Sequence, residues 1–544
     1  MKIALSQINY HIGNFEQNTN KIRDAIRKAK LSDVNLIVFA ELAVSGYPSR
    51  DFLEFDDFIS CCNKVIDDIS EEISDIAVII GMPTVNSKTK GKNLYNSAVF
   101  IENGEITHTV NKTLLPTYDV FDEYRYFESG KEFNIINYKG VKIALTICED
   151  LWDVVDDLMY TIRPMDELIK QQPDLIINIA ASPFHYKQAE IRKQILKKNC
   201  VLYNLPLIYV NHVGAQTELL FDGCSMVLNS KGEVVEELKS FQEDFSIVEL
   251  DEVNSMPIIK GEENSKMELL HDALIMGIKN YFDKLGFEKA ILGLSGGIDS
   301  ALTLVLAVRA LGKENVKAFL LPSQYSSKHS IEDAVGLAKN LGIEYDMLSI
   351  EETYYNIENL LEPIFKGEKT DITEENIQSR LRAIILMAMS NKFGSILLNT
   401  SNKSEFAVGY GTLYGDMCGG ISVLGDVYKT EVFELSRFIN RNEEIIPQNT
   451  IIKPPSAELR ANQKDSDSLP EYDILDKILE QYIENRKSPQ EIINMGFDEN
   501  IVKKTLRLVN TNEYKRYQSP PILRVSSKAF GMGRRMPIVA RYLS

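Results

Sequence analysis

The sequence predicts an α/β protein with two domains. Throughout the first half of the chain, short apolar segments of strand length alternate with amphipathic segments of helical period. The same alternation begins again at Met267 after a polar stretch, and a chain of 544 residues is too long for one ordinary core. We therefore predict domains at residues 1–252 and 267–544, joined by a linker at residues 253–266.

The first half contains apolar segments that we predict to be strands: Ile3–Ile8, Leu36–Phe39, Ile76–Ile80, Ala98–Ile101, Val141–Ile147, Leu175–Ile179, Leu207–Val210 and a last strand at Ser246–Leu250. The helical period of about 3.6 residues at Phe15–Lys30 and Gln188–Lys198 predicts helices there. Asn103-Gly104 and Lys231-Gly232 lie between strand-like segments, and such dipeptides favour antiparallel hairpins.

The second half begins with the pattern of a parallel sheet. A helix, a strand, a second helix and a second strand are predicted in turn at Met267–Leu285, Ala290–Leu294, Ala301–Leu311 and Val316–Leu321. The linker before them is polar and contains Pro257 and Gly261, which interrupt regular structure.

Composition excludes several classes of protein. Acidic residues exceed basic ones by 78 to 60, and the net charge of −18 argues against a nucleic-acid binder driven by electrostatics. No signal-peptide pattern is present at the N-terminus, and no apolar segment approaches the roughly 20 residues that span a bilayer. The six cysteines form no CxxC pair, which argues against disulfide and zinc frameworks. We expect a cytoplasmic protein without a membrane partner.

An apolar strand at Ile291–Leu294 leads directly into Ser-Gly-Gly and then into a helix. Gly296 and Gly297 allow the backbone to turn tightly and approach an anion, and the free N–H groups of the helix start point towards it. A pyrophosphate group would fit this loop, and Asp299 is suited to bind a Mg²⁺ ion that also binds those phosphates. The candidate nucleotide-binding residues here are Gly293, Leu294, Ser295, Gly296, Gly297, Ile298, Asp299 and Ser300. The alternative is an ordinary strand–turn–helix capped by a serine.

This loop resembles the signature of the ATP pyrophosphatases, α/β proteins that bind adenine nucleotides in a Rossmann-like fold and release pyrophosphate while activating a carboxylate or carbonyl. It is not a Walker loop, because no Gly-Lys-Ser/Thr follows. Residues 375–382, 399–405 and 409–416 resemble the characteristic blocks of the NAD synthetase family. That resemblance covers almost all of residues 267–544.

The NAD synthetase resemblance implies roles for individual residues. Thr400, Lys429 and Ser456 would contact ATP, and Glu405 would share a magnesium ion with Asp299. The residues implied for the dinucleotide substrate, deamido-NAD, are Asn376, Arg380, Glu405 and Lys528. Taken alone, Arg380 and Lys429 could equally be solvated surface charges. The basic segment from Tyr514 onwards has no acidic residue and could bind phosphates or remain solvated.

Three segments of the first half each place a polar side chain beside a strand end or loop: Glu41 in residues 38–48, Lys112 in residues 111–118 and Cys148 in residues 145–152. They resemble the Glu-Lys-Cys blocks of the nitrilase superfamily, whose fold is an α/β/β/α sandwich, and most closely those of the glutaminase domains of glutamine-dependent NAD synthetases. The resemblance also implies that Tyr118, Ser182 and Lys187 contact L-glutamine.

These three residue types suit amide hydrolysis. A thiolate attacks the amide carbon, a carboxylate moves the proton to the departing ammonia, and an ammonium stabilises the oxyanion. Each residue alone has a simpler interpretation: Cys148 as a buried apolar thiol, Glu41 as a charge that ends a strand, and Lys112 as a loop lysine.

Together the resemblances imply a ligase that takes ammonia from L-glutamine and uses Mg-ATP to convert deamido-NAD into NAD, with AMP and pyrophosphate as products. Family analogy also implies a homo-oligomer. Three alternatives remain: another amidotransferase of the same loop family that makes GMP or asparagine, an amidase fused to a nucleotide sensor that does not catalyse, and a scaffold in which both sites are inactive.

Overall fold

The computed structural model describes residues 1–88, 90–154, 159–259, 264–461 and 463–542. The chain divides into two compact units, Met1–Glu263 and Asn264–Ser544. The division falls within residues 253–266, the predicted linker, of which residues 260–263 lie outside the described residues. No helix in the described ranges is both long enough and apolar enough to cross a membrane.

The first unit is built mainly from strands. Its strands are β1 (Lys2–Gln7), β2 (Leu36–Val38), β3 (Ala77–Val85), β4 (Leu94–Glu102), β5 (Glu105–Asn111), β6 (Ile136–Tyr138), β7 (Val141–Ile147), β8 (Leu175–Ala180), β9 (Leu207–Asn211), β10 (Val213–Gln216), β11 (Leu219–Asp222), β12 (Met226–Leu228), β13 (Val234–Glu237) and β14 (Asp244–Glu249). Its helices are α1 (Phe15–Lys30), α2 (Asp56–Ser70), α3 (Glu123–Tyr126), α4 (Pro164–Leu168) and α5 (Gln188–Tyr203).

Two six-stranded sheets form the centre of this unit, in the orders β14-β1-β2-β3-β4-β5 and β13-β12-β9-β8-β7-β6. Each sheet has a parallel middle and antiparallel edges. The sheets pack against each other, since β4 contacts β7 and β1 contacts β9. Helices α1 and α2 bury apolar side chains such as Ile22 and Val65. The predicted α/β/β/α layering is confirmed.

Local patterns located several elements closely. β7 and α1 begin and end at the predicted residues, and both predicted hairpins form, between β4 and β5 and between β12 and β13. Helix α5 continues to Tyr203, beyond the predicted end at Lys198. The short hairpin of β10 and β11 was not predicted.

The second unit combines a five-stranded sheet with helices. Its strands are β15 (Ala290–Gly293), β16 (Val316–Leu320), β17 (Glu344–Met347), β18 (Ile396–Asn399) and β19 (Ile421–Ser422). Its helices are α6 (Lys266–Leu285), α7 (Ile298–Leu311), α8 (Lys328–Leu341), α9 (Glu351–Phe365), α10 (Ile372–Phe393), α11 (Lys403–Val408), α12 (Lys429–Ile439), α13 (Gln448–Ile452), α14 (Tyr472–Ile483), α15 (Pro489–Asn494), α16 (Glu499–Thr511) and α17 (Glu513–Arg516).

All neighbouring strands of this sheet are parallel, in the order β17-β16-β15-β18-β19. The chain runs outward from β15 in one direction and then returns to β18 on its other side. Such a reversal opens a crevice at the carboxyl ends of the two central strands, where ligands of open α/β sheets bind. The predicted phosphate loop follows β15, and Thr400 follows β18.

Gly296 occupies a position of the loop where only glycine fits. Its φ of +82° lies in the left-handed region, and a Cβ there would stand 2.1 Å from the carbonyl oxygen of Ser330 in α8. The loop therefore packs directly against the backbone of α8, which fixes its distance from that helix.

We expect Gly296→Ala to destabilise the chain by about 1–3 kcal/mol more than Gly286→Ala, because only the first change forces two backbones apart. Gly286 has a similar φ of +74°, but a Cβ there meets nothing within 4 Å. Denaturant unfolding of both variants checks this, and equal losses would contradict the steric account.

Candidate active sites

The predicted Glu-Lys-Cys residues of the first unit all follow strand ends. Glu41 comes shortly after β2, Lys112 directly after β5, and Cys148 directly after β7. All three residues are buried, and each is at most 4% exposed. The sandwich brings Glu41 and Lys112 into direct contact, with Nζ 2.7 Å from Oε1.

Glu41 is held from several directions. Its Oε1 accepts hydrogen bonds from Lys112 Nζ and from Asn96 Nδ2, each at 2.7 Å. Its Oε2 accepts the Ala181 N–H at 2.8 Å, and its main-chain carbonyl lies 2.5 Å from His212 Nε2. Because a carbonyl oxygen only accepts, the His212 ring must donate through Nε2. The carboxylate therefore has one fixed orientation.

Lys112 lies between two carboxylates, and sequence reasoning missed the second. Its Nζ donates to Glu41 and also to Glu123 Oε1 at 2.8 Å, and Tyr47 donates to the same Glu123 oxygen at 3.0 Å. Burial opposes the charge of Lys112, but Glu123 and Glu41 outweigh it and hold the pKa of its ammonium well above the ordinary value. Burial raises the pKa of Glu123 to about 7, although Lys112 opposes that rise. No motif marks Glu123, which begins a one-turn helix.

Cys148 begins the 3-10 turn Cys148–Leu151 with a φ of 41°, a left-handed conformation that is rare outside glycine. Burial, followed by the charge of Glu41, raises the pKa of the thiol well above its ordinary value, while Lys112 opposes the rise. The thiol is therefore protonated at rest, and a base must remove its proton for attack.

Asp150 links the segment that carries Lys112 to the segment that carries Cys148. Its Oδ1 accepts the N–H groups of Thr113 and Leu114 at 3.0 and 2.9 Å, and its Oδ2 accepts the N–H of Ile147 at 3.1 Å. The backbone after Lys112 is thereby fixed against the end of β7.

The residues predicted to bind glutamine are distributed around this cluster. Tyr118 donates to both oxygens of Glu149, the neighbour of Cys148, at 2.9 and 3.1 Å, and Tyr160 donates to Glu149 as well. Ser182 is buried and donates its N–H to Asn211. Lys187 is exposed before α5, with Nζ 5.5 Å from the centre of the Tyr186 ring. Sequence reasoning missed Glu149, whose pKa burial raises.

The second unit contains a cavity of about 310 Å³ at the carboxyl ends of β15 and β18. Of the predicted residues, those that line it are Gly293, Leu294, Ser295, Gly297, Ile298, Asp299, Ser300, Thr400, Glu405, Lys429 and Ser456. Gly296 is absent from that lining because it faces α8. Within the loop, Ser295 Oγ accepts the Gly297 N–H at 3.2 Å and lies 3.1 Å from Ser300 Oγ.

Lys429 stands between the two predicted magnesium ligands. Its Nζ lies 2.5 Å from Asp299 Oδ2 and 3.6 Å from Glu405 Oε1, and Asn402 donates to Asp299 Oδ1 at 2.9 Å. Burial, reinforced by Asp299, raises the pKa of Glu405 to about 8, although Lys429 opposes the rise. Asp416, Glu458 and Asp465 also line the cavity, which gives five carboxylates against the three cations Arg382, Lys429 and Lys453 among the described residues, and no motif had marked Asp465. Negative charge therefore exceeds positive charge here.

These carboxylates fit a magnesium ion that also binds phosphates. Within the described ranges no group of three or more His, Cys, Asp or Glu side chains has the geometry to hold a metal by itself. Mg²⁺ usually takes only one or two protein carboxylates and completes its shell with phosphates and water. The raised pKa of Glu405, caused by burial and Asp299, marks a place where an added cation would be favourable.

The remaining residues predicted for the dinucleotide lie outside the cavity lining. Asn376 Oδ1 accepts the Thr412 hydroxyl at 2.7 Å, and Arg380 Nε donates to the Leu413 carbonyl at 3.2 Å. Both therefore join α10 to residues 409–416. Lys528 is half-buried, and its N–H donates to Ser526 Oγ at 3.3 Å.

Comparison with known proteins gives the same two-part division. A carbon-nitrogen hydrolase family model matches residues 2–257, and an NAD synthase family model matches residues 270–519. A glutamine-dependent NAD(+) synthetase of Synechocystis sp. is 44% identical, with 99% of each chain covered. One of Thermotoga maritima is 40% identical, with 100% of this chain and 99% of that protein covered. The chain belongs to the glutamine-dependent NAD(+) synthetase family.

Solved structures of this family agree. The glutamine-dependent NAD+ synthetase of Acinetobacter baumannii, solved in complex with ADP, is 39% identical and superposes with a TM-score of 0.79 over 99% of this chain and 98% of that one. The Cytophaga hutchinsonii structure shares 22% identity with a TM-score of 0.84 over 99% and 98% of the two chains, which bears on fold alone. The predicted nitrilase-like and synthetase folds are confirmed.

The contact between His212 and the Glu41 carbonyl predicts a paired mutational outcome. His212→Phe keeps an aromatic ring beside Tyr10 and Phe221 but removes the donor, whereas His212→Gln keeps an N–H donor. We expect the phenylalanine variant to lose about tenfold in kcat for glutamine hydrolysis, near the net value of one hydrogen bond, and the glutamine variant to lose less. Thermal unfolding of the variants is the folding control; full glutaminase activity of His212→Phe would contradict the role.

Proposed function

We propose that this protein makes NAD from deamido-NAD, using ATP and ammonia released from L-glutamine. The observation that carries the proposal is the presence in one chain of a buried Glu41–Lys112–Cys148 cluster and a phosphate-loop cavity. Both lie in a chain whose family relatives are glutamine-dependent NAD(+) synthetases along their whole length.

In the proposed first reaction, Cys148 attacks the side-chain amide carbon of glutamine. Glu41 takes the thiol proton, because burial keeps the pKa of Cys148 high and a carboxylate acceptor is needed. Lys112 keeps its charge, since Glu123 and Glu41 hold its pKa high despite burial, and it stabilises the oxyanion of the tetrahedral intermediate. Glu41 then delivers the proton to the departing ammonia, which leaves a γ-glutamyl thioester on Cys148.

The thioester is hydrolysed by water that Glu41 activates, and glutamate is released. We propose that Tyr118, Ser182 and Lys187 contact the glutamine. Glu149 is suited to its cationic α-amino group, because this buried carboxylate lies next to Cys148 in sequence and is oriented by the hydroxyls of Tyr118 and Tyr160.

In the proposed second reaction, the nicotinate carboxylate of deamido-NAD attacks the α-phosphate of ATP. The bond to the β-phosphate breaks, pyrophosphate remains on the Ser295–Ser300 loop, and an acyl adenylate forms. Ammonia then attacks the acyl carbon and expels AMP. Lys429 stabilises negative charge on the phosphates, since its ammonium is buried beside the loop and is fixed by Asp299.

Asp299 and Glu405 are the proposed ligands of Mg²⁺, whose charge would offset the repulsion between two anionic reactants. Thr400 and Ser456, which line the same cavity, are proposed to contact ATP. Asn376, Arg380 and Lys528, with Glu405, are proposed to contact the dinucleotide.

Two variants test whether the reactions are separable. Cys148→Ala should abolish NAD formation from glutamine but retain formation from added ammonium, because it removes only the nucleophile. Asp299→Ala should remove NAD and AMP formation while retaining some glutamine hydrolysis. The assay supplies deamido-NAD, Mg-ATP and glutamine and measures NAD, AMP and glutamate.

The same assay decides between the proposal and its alternatives. An amidotransferase for another substrate would ignore deamido-NAD, and an amidase fused to a nucleotide sensor would form no AMP. ATP turnover only to ADP would contradict adenylation. Loss of both activities in each variant would contradict separate sites.

We further propose a homo-oligomer in the cytoplasm. Helices α9 and α10 pack together and expose large apolar side chains, with Leu360 72%, Ile364 69% and Ile384 64% exposed. Exposed apolar residues on neighbouring helices favour a protein interface. All six cysteines are free thiols, as is usual in a reducing compartment.

Charge placed on α9 should therefore weaken the assembly. We expect Leu360→Glu with Ile364→Glu to lower the molar mass measured by light scattering. Leu31→Glu, at an 89% exposed position after α1, is the matched control and should leave the mass unchanged. An unchanged mass in the double variant would exclude this face as an interface.

A further inference from the structure

Asp476 is a buried carboxylate on an otherwise apolar face of α14. The residue is 5% exposed, and its neighbours Leu475 and Leu479 are buried in the same core cluster as Phe406 and Ala407 of α11. Burying a carboxylate is costly unless its oxygens are well hydrogen-bonded, and an apolar side chain would serve packing alone at least as well. Its contacts therefore have to account for its presence.

Both oxygens of Asp476 accept hydrogen bonds from the starts of two other helices. Oδ1 accepts the Ser404 hydroxyl of α11 at 2.5 Å. Oδ2 accepts the N–H and the hydroxyl of Thr430 in α12, at 2.9 and 2.8 Å. One carboxylate thus joins the first turns of α11 and α12, where unpaired backbone N–H groups favour a negative charge.

The two residues that Asp476 binds are the sequence neighbours of Glu405 and Lys429. Ser404 precedes Glu405, and Thr430 follows Lys429. Ser404 Oγ also accepts the main-chain N–H of Lys429 at 2.9 Å. Asp476, Ser404 and the backbone of Lys429 therefore form one buried chain of hydrogen bonds that sets where α11 and α12 begin relative to each other.

That relative position decides the geometry in the cavity. Lys429 Nζ lies 2.5 Å from Asp299 and 3.6 Å from Glu405, and these side chains come from three different helix starts. A shift of α12 against α11 would change both distances at once. Misplacement of a reacting group by about 1 Å can cost about a hundredfold in rate.

We propose that Asp476 is a positioning residue for adenylation. By hydrogen-bonding the first turns of α11 and α12, it fixes the position of Glu405 relative to Lys429. This inference rests on the proposed function of the second unit. Among the described residues, Asp476 hydrogen-bonds Ser404 and Thr430, neither of which lines the cavity, so it acts through the positions of their neighbours Glu405 and Lys429.

The charge state of Asp476 suits this role. Burial raises its pKa to about 6, while the Ser404 and Thr430 donors lower it and Glu431 raises it further. The carboxyl is therefore mostly ionised at neutral pH and accepts all three hydrogen bonds. An asparagine in its place has the same shape but presents an N–H₂ group to one of the two helix starts.

The test compares Asp476→Asn with Asp473→Asn, the same change at an exposed position of α14. With deamido-NAD, Mg-ATP and ammonium, we expect Asp476→Asn to lower kcat by about ten- to a hundredfold and to change the KM for ATP by less than about threefold. Asp473→Asn should behave as the unchanged protein. Glutamine hydrolysis in the first unit should be equal in all three, and thermal unfolding confirms folding.

Ser404→Ala provides the second variant, because it removes the link from Asp476 to the Lys429 N–H with a smaller change. If both act through one chain of hydrogen bonds, the Ser404→Ala/Asp476→Asn double variant should be no slower than the slower single variant. Additive losses, or a kcat within twofold of the unchanged protein in the folded variants, would overturn the inference. Failure of both single variants to fold would also overturn it and make Asp476 a residue of the core.

These outcomes are distinct from failure of the proposed function. If the unchanged protein forms no NAD and AMP from deamido-NAD, ATP and ammonium, the proposed function itself fails. If the unchanged protein is active and Asp476→Asn matches it, only the role of Asp476 is lost.

Discussion

Charge balance around buried lysines is the constraint on which both sites depend. Lys112 in the first unit, and Lys403 and Lys429 in the second, are each at most 2% exposed. Each lies within 4 Å of two carboxylates. An ammonium removed from water is tolerated only where opposite charge and hydrogen bonds replace its hydration, so removing one partner from such a cluster leaves a buried charge uncompensated. The carboxylates and lysines of these sites therefore have to be understood as sets.

The three clusters use this balance differently. Around Lys112, Glu41 and Glu123 share one ammonium beside a protonated thiol, an arrangement that suits the proposed proton transfer to Glu41. Around Lys429, the charges face a cavity, so phosphates and a cation can join the set. Lys403, in contrast, is fully buried and donates to Glu484 and to the Ser526 hydroxyl. Asp426 in turn accepts the main-chain N–H of Ser526. That cluster fixes the chain just before Lys528.

Local sequence patterns predicted much of this architecture, whereas contacts between residues far apart in the sequence could not be predicted. Strand ends, the Ser-Gly-Gly turn and the hairpin dipeptides depend on neighbouring residues, so β7, α1 and the position of Cys148 after a strand followed from the sequence. Glu123 and Asp476 have no such signal. Each is an acidic residue in a helix with exposed charges nearby, a pattern typical of solvated faces, and only the contacts with Lys112 and Ser404 give them roles.

The contacts of the residues predicted to bind the dinucleotide could not be predicted from the sequence either. Asn376 Oδ1 accepts the Thr412 hydroxyl and Arg380 Nε donates to the Leu413 carbonyl, so one polar atom of each side chain already has a partner within the protein. The bond from Arg380 to the Leu413 carbonyl already has a charged donor, but a phosphate carries the opposite charge and can accept two parallel N–H groups, so it binds a guanidinium more strongly than one carbonyl oxygen does. Exchange of the Leu413 carbonyl for a substrate phosphate is therefore favourable for Arg380. If a substrate phosphate takes the Nε donor from Leu413, α10 keeps its other bonds to residues 409–416, from Asn376 to Thr412 and from Ser379 to Asp416, so binding would loosen one of the three links that its described residues make to a segment that borders the ATP cavity.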